Sequence, residues 1–261
     1  MALAPLAHGK SGGMVGALIF CVALGGCAGN IKHPGQPAAA STNDPSEHIN
    51  RKIFAVNQAI DQTVIRPVAK GYTHLPHPIR SGVHDFVQNL GEPDVFINDV
   101  LQGNVLRSLN TGGRFVINST IGLVGLLDVA QHMGMPHHSA DLGQTFGVWG
   151  MGTGRTVEFP LFGSSNVRDS VGKVLDTVLN PLGQASNSTT VQTLDDAKSV
   201  GGMVDGRAAA LPHTDQLELS DDYYAARRDD AAKRRAALVA DGKVGAVRPA
   251  PAASSVSDDD D

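Results

Sequence analysis

Apolar residues recur three or four positions apart through most of this chain. Ile53, Val56, Ile60 and Val64 form one stripe, and Val83, Phe86, Val87 and Leu90 a second. Val95, Phe96, Val100 and Leu101 form a third; Leu106, Leu109 and Phe115 a fourth; Val171, Val174, Leu175 and Val178 a fifth. This spacing lays side chains along one face of a helix, so the pattern predicts an all-α domain. Punctuation supports it. Asp44-Pro45-Ser46-Glu47 reads as a helix start, with an N-cap, a proline at the first helical position and a glutamate placed to reach back. Glu92-Pro93 opens another helix and Gly103 closes it. Residues 217–241 read as one long charged helix stopped by Gly242. Period-two alternation is scarce, and residues 155–162 (RTVEFPLF) are the one candidate strand, weakened by Pro160.

Two uncharged stretches stand out. Residues 115–127 (FVINSTIGLVGLL) make a run of 13. As a helix at about 1.5 Å per residue it would span about 20 Å, short of the roughly 30 Å hydrocarbon core of a bilayer. Such a run either lies in one leaflet or forms a buried core helix, and a run of this length by itself favours the core. The other stretch, residues 14–24, follows His8 and Lys10 and has the length of a signal-peptide apolar region. It ends in Leu24-Gly25-Gly26-Cys27, which resembles the lipobox of bacterial lipoproteins, with Cys27 as the acyl acceptor. Cys21 would leave with the signal. By resemblance to lipoprotein sorting signals, Ala28 rather than Asp after that cysteine favours the outer membrane over inner-membrane retention. The expected organisation is a signal peptide over 1–26, a lipidated Pro/Ala/Gly-rich tether over 27–43, a helical domain over 44–241, and a disordered acidic tail over 242–261.

Charge then narrows the classes. The whole chain carries a net charge of −5. Loss of Lys10 with the signal leaves 20 basic against 26 acidic residues, or −6. That argues against nucleic acid as a partner. No Walker A loop and no G-x-S-x-G elbow occurs. His132, His137 and His138, with Asp141, match no metal-ligand spacing and read better as a solvated loop than as a metal site. The glycines from Gly143 to Gly163 fit either a mobile segment or a run of tight turns. Gly150 to Arg155 resembles a phosphate loop in glycine count alone. Arg66, Arg114 and Asp128 would pair with one another or with lipid headgroups, structural pairing being the simpler reading.

Ordered motifs from Asp44 to Asp169 resemble the MlaA, or VacJ, lipoprotein family. They are Asp44-Pro45 with Asn50-Arg51 and Phe54; Arg66-Pro67; Asn89 with Glu92-Pro93; Asn98 with Gln102-Gly103; Arg114-Phe115 with Asn118; Asp128; Gly147 and Gly150; and Arg168-Asp169. The resemblance implies a ring of amphipathic helices in the inner leaflet of the outer membrane, pierced by an amphipathic channel. It implies removal of stray outer-leaflet phospholipid and delivery to a soluble periplasmic carrier, beside a trimeric porin. No catalysis, cofactor or metal is expected. It also moves residues 115–127 toward leaflet burial, with Phe115, Ile121, Leu123 and Leu126 as embedded side chains. Arg155 stands where the family pattern has proline, and after Pro181 the match thins, so Tyr223-Tyr224 and Arg227-Arg228 are left unplaced. The competing functions are a structural, porin-binding envelope lipoprotein and a lipid hydrolase using the histidine loop.

Overall fold

Two stripes that read as separate helices in the sequence are one. In the computed structural model, which describes residues 44–179 and 189–247, Pro93 lies inside a helix running His77–Leu101. A proline there removes one intrahelical hydrogen bond and opposes the helix locally. Packing on both sides of it prevails: Asn89, Leu90, Glu92, Val95 and Asn98 are all buried. Glu92-Pro93 is therefore mid-helix and not a helix start. Gly103 does end this helix, at φ +73°.

The described chain is all-α apart from one hairpin. α1 (Glu47–Ile60) passes through a π-helical turn (Asp61–Ile65) into α2 (Arg66–Thr73), with Pro67 in its first turn. α3 is His77–Leu101, α4 Val105–Thr120, α5 Val129–His132 and α6 Leu142–Val148. Strands β1 (Thr156–Phe159) and β2 (Gly163–Asn166) pair antiparallel, Thr156 opposite Asn166. α7 (Val167–Leu179), α8 (Thr189–Glu218) and α9 (Tyr223–Val244) follow. The expected strand thus ends at Phe159, and Pro160 serves the turn, where it has no ladder bond to lose. Asn57 of α1 grips that turn, donating to the Phe159 carbonyl at 2.8 Å and accepting from Leu161 N at 2.8 Å.

Three other expectations are corrected. Asp44 does not cap α1, whose N-cap Ser46 makes no side-chain cap bond. Asp44 instead accepts from Asn50 Nδ2 at 2.7 Å and from the Tyr224 hydroxyl at 2.5 Å. Glu47 accepts from Arg51 Nε rather than reaching back. Residues 217–241 are not one helix. Leu217 and Glu218 end α8, and Asp222 caps α9 by accepting from Ala225 N at 3.1 Å. Gly242 lies buried inside α9, and Gly245, at φ +65°, ends it. α9 therefore extends three residues into the expected tail. The rest of that tail from 248, the signal and the tether fall outside the described residues. Finally, residues 115–127 are not one helix. α4 stops at Thr120, and Leu123 and Val124 turn left-handed.

The faces are inverted relative to a water-soluble domain. On α4 the buried residues are Arg107, Ser108, Asn110, Thr111, Arg114 and Asn118. Val105, Leu106, Leu109 and Val116 lie on its outside, Leu106 at 69% and Leu109 at 67% exposure. α7 repeats the arrangement, burying Arg168 and Asp169 and exposing Val171, Val174 and Val178. Among the described residues, buried polar side chains outnumber buried apolar ones.

Candidate functional site

Arg114 organises the interior. Its guanidinium donates to Glu92 Oε1 at 2.7 Å, to Asp128 Oδ2 at 2.9 Å and to the Met135 carbonyl at 2.6 Å. Arg114 and Glu92 are each 1% exposed. Asn118 donates to Asp128 Oδ1 at 3.0 Å and accepts from Ala130 N at 2.9 Å. Burial works against the Asp128 carboxylate, yet the bonds from Arg114 and Asn118 hold it below the usual carboxylate range. The expected Arg114–Asp128 pairing is present. Arg66 does not join it, pairing with Asp215 and Glu218 of α8 at 2.7 and 2.9 Å.

The histidine loop is solvated only in part: His132 is exposed, as expected, while His137 and His138 are drawn inward. His138 is buried, with Nε2 2.9 Å from Asp99 Oδ2, and Thr111 donates to the same oxygen at 2.7 Å. His137 Nδ1 lies 3.2 Å from Glu92 Oε1. Their partners on α3 are about forty residues away in sequence, and spacing within the loop carries no trace of them. No three metal-capable side chains gather among the described residues. Further along α3, Asn98 accepts from Thr145 Oγ1 at 2.8 Å, and Gln102 donates to that hydroxyl at 3.0 Å. Asn89 donates to Ser119 at 3.0 Å.

The glycines of α6 and α7 are there for close approach. A Cβ on Gly172 would overlap the Gly143 backbone nitrogen, and one on Gly147 would stand 2.8 Å from Arg168 Nη1. Gly150 turns the chain at φ +95°. Residues 142–148 are thus packed α-helix, Gly150, Gly154 and Gly163 make turns at positive φ, and the phosphate-loop likeness of 150–155 follows a helix, not a strand.

A cavity of about 550 Å³ lies between the hairpin, α7 and α9. One wall is the small apolar face of α9: Ala231, Ala232, Ala236, Val239 and Ala240. The rest is polar and basic, with Ser164, Arg168, Lys173, Arg228, Arg235 and Lys243 against Asp169. Arg235 binds both oxygens of Asp141, at 2.5 and 2.6 Å, and lies 2.8 Å from Asp169. Burial alone would raise Asp141, but Arg235 holds it below its ordinary value. Arg168 donates to Asp169 at 2.8 Å.

The C-terminal residues that the family likeness left unplaced complete this region. Tyr224 is buried against Asp44, and Arg51 lies over its ring at 4.6 Å while pairing with Asp222. Phe54 meets Tyr223 and Tyr224 edge-on, each at 5.4 Å. Sequence reasoning missed the alanine wall. Its signal was visible, since alanines or valine recur at 232, 236, 239 and 240 within a helix otherwise crowded with charge.

Asp176 of α7 accepts from Leu142 N at 3.2 Å, and burial, with Asp141 and Asp94 nearby, raises its pKa to about 6. Its ordinary value is 3.8. Between those values the folded chain keeps a proton that the unfolded chain releases. The contribution to stability is therefore whole below about pH 4 and is lost as pH rises through about 6. Asp176→Asn should raise stability by about 1 kcal/mol at about pH 7.5, after allowance for solvent screening. That gain should vanish near about pH 4. Thermal melts at the two pH values test this; an equal difference at both would contradict it.

A model of the MlaA lipoprotein family matches residues 42–238. An intermembrane phospholipid transport system lipoprotein MlaA of Haemophilus influenzae is 29% identical over 233 residues, 87% of this chain and 90% of that one. Its counterpart in Escherichia coli K12 is 35% identical over 145 residues, 51% of this chain and 55% of that one. An uncharacterised protein of Rickettsia felis is 33% identical over 199 residues, 75% and 78% of the two chains. A solved chain, from work on the structural basis for maintenance of bacterial outer membrane lipid asymmetry, superposes with a TM-score of 0.65 at 30% identity. It covers 75% of this chain and 98% of its own length. The motifs from Asp44 to Asp169, the helical architecture, the match over 42–238 and this superposition agree: the chain belongs to the MlaA lipoprotein family.

Proposed function

We propose that this chain is an outer-membrane lipoprotein, anchored through Cys27, that takes mislocalised phospholipid from the outer leaflet toward a soluble periplasmic carrier. The observation that carries the proposal is the inversion of polarity. Helices that bury arginine, aspartate and asparagine while exposing leucine and valine are stable where the exterior is hydrocarbon. No described helix is long and apolar enough to cross a membrane, which fits a domain seated in one leaflet. Phe115, Ile121, Leu123 and Leu126 are all exposed, as embedded side chains would be.

Physical chemistry then assigns the task. A phospholipid headgroup crossing hydrocarbon unaided loses its hydration. A passage with a polar, basic side and a smooth apolar wall keeps the headgroup wet and the tails in apolar contact. The cavity between the hairpin and α9 has that composition. Conduction of this kind breaks no bond and needs no cofactor, and direction comes from the acceptor. A trimeric porin beside the domain is part of the same reading. His137 and His138 are engaged by buried carboxylates of α3, an arrangement that supports structure rather than hydrolysis.

The protein purified in mild detergent should carry extractable phospholipid, and a deletion strain should accumulate phospholipid in its outer leaflet. Lipid-free protein together with an unchanged outer leaflet would leave a purely structural, porin-binding lipoprotein. Hydrolysis products from liposomes would point to the hydrolase instead.

A further inference from the structure

Leu123 (φ +54°), Val124 (φ +62°) and Gly125 (φ +91°) follow one another in the left-handed region just after α4. Side-chain-bearing residues avoid that conformation, and β-branched ones most of all. A surface loop under no constraint would carry glycine or asparagine there.

The turn is held from within. Gly125 N donates to the Asn118 carbonyl at 2.8 Å, Leu127 N to the Gly122 carbonyl at 3.0 Å and Gly122 N to Ile117 at 3.2 Å. Gly125 presses on Asn89, whose Nδ2 would lie 2.5 Å from an added Cβ. A Cβ on Gly122 would overlap the Leu127 carbonyl. Asn118 and Asp128 at its two ends belong to the buried Arg114 network.

The outside of the turn is entirely apolar. Ile121, Leu123, Val124, Leu126 and Leu127 are exposed, Leu123 at 62% and Val124 at 67%. From 121 to 127 no side chain can make a hydrogen bond or carry charge. A protein partner reading polar groups would find none here. Five of the seven backbone N–H groups of the turn, those of Ile121, Gly122, Gly125, Leu126 and Leu127, are paired within the chain, which lowers the cost of placing the turn in hydrocarbon. The surface continues onto the exposed face of α4 at Val116.

We infer that residues 121–127 are a preformed knuckle that inserts into the acyl-chain region of a lipid layer and sets the depth of the domain. The left-handed pair projects two large side chains from a turn already closed by its own hydrogen bonds, so insertion needs little further ordering. This rests on the leaflet-seated reading above and adds the element that fixes its depth.

The test uses the chain without its signal peptide (residues 27–261), unacylated by Cys27→Ala, with Trp149→Phe removing its single tryptophan and Leu126→Trp as reporter. On phosphatidylethanolamine/phosphatidylglycerol vesicles the reporter should shift to the blue and be quenched by lipids brominated in the acyl chain. In the same signal-free chain with only Cys27→Ala, adding Leu123→Gly and Val124→Gly should leave the melting temperature unchanged or raised, because glycine accepts positive φ. Vesicle affinity should nonetheless fall by about tenfold or more. Protein that floats with vesicles while its reporter stays unquenched would overturn the knuckle and leave leaflet seating intact. Equal affinity of the glycine variant would do the same. Failure of the Cys27→Ala chain to bind vesicles at all would remove both.

Discussion

Arg114→Met is expected to lower the free energy of unfolding by about 3–5 kcal/mol, the usual effect of removing one member of a buried ion pair. Methionine fills much of the volume but satisfies none of the three acceptors. Glu92, at 1% exposure, and the half-buried Asp128 would both lose the guanidinium and face an apolar chain, and the Met135 carbonyl would lose its donor. The damage should spread, because Asp128 also caps α5 through Gln131 N and holds Asn118. Denaturant unfolding in a constant mild detergent measures the loss. Adding Glu92→Leu and Asp128→Asn to Arg114→Met should recover most of it, since the penalty lies in the orphaned charges rather than in the absence of a salt bridge. A single-variant loss under about 1 kcal/mol would mean that water reaches both carboxylates.

The Arg114 cluster also marks the limit of what the sequence discloses. The stripe Leu106, Leu109, Val116 and the opposite stripe Arg107, Asn110, Thr111, Arg114, Asn118 are both legible at helical spacing. Periodicity tells which residues share a face, but an inverted helix has the same period and a moment of equal size. The direction of burial depends on the solvent outside, which no local pattern encodes; the family likeness supplied it. Gly103 was legible because a helix end with positive φ has few alternatives. Pro93 misled because tertiary packing on both sides outweighed a local rule. Asp44 misled because a carboxylate before a helix has two uses, and here Asn50 and Tyr224, one of them 180 residues away, claimed it. His138 was hidden for the same reason, with its Asp99 partner on another helix. The cavity was hidden because its apolar side is mostly alanine, which attracts no notice in a charged helix.

Leu106→Asp with Leu109→Asp separates this domain from an ordinary soluble one. Both positions are about two-thirds exposed, so in water the exchange relieves apolar exposure and should leave the fold intact. In hydrocarbon each aspartate costs about 2–3 kcal/mol, so the pair should weaken association with vesicles by about a thousandfold or more. Using the signal-free chain with Cys27→Ala makes the effect readable, because acyl chains or the apolar run 14–24 would keep the protein on the membrane by themselves. Flotation of the Cys27→Ala chain with and without the two aspartates gives the partition ratio. Circular dichroism and melting in detergent-free buffer report the fold, and solubility there should rise. The opposite outcome, unchanged flotation with a collapsed melting transition, would show that Leu106 and Leu109 pack against protein. The exposed side of α4 would then be a contact face, and the inverted polarity that carries the proposed function would lose its physical basis.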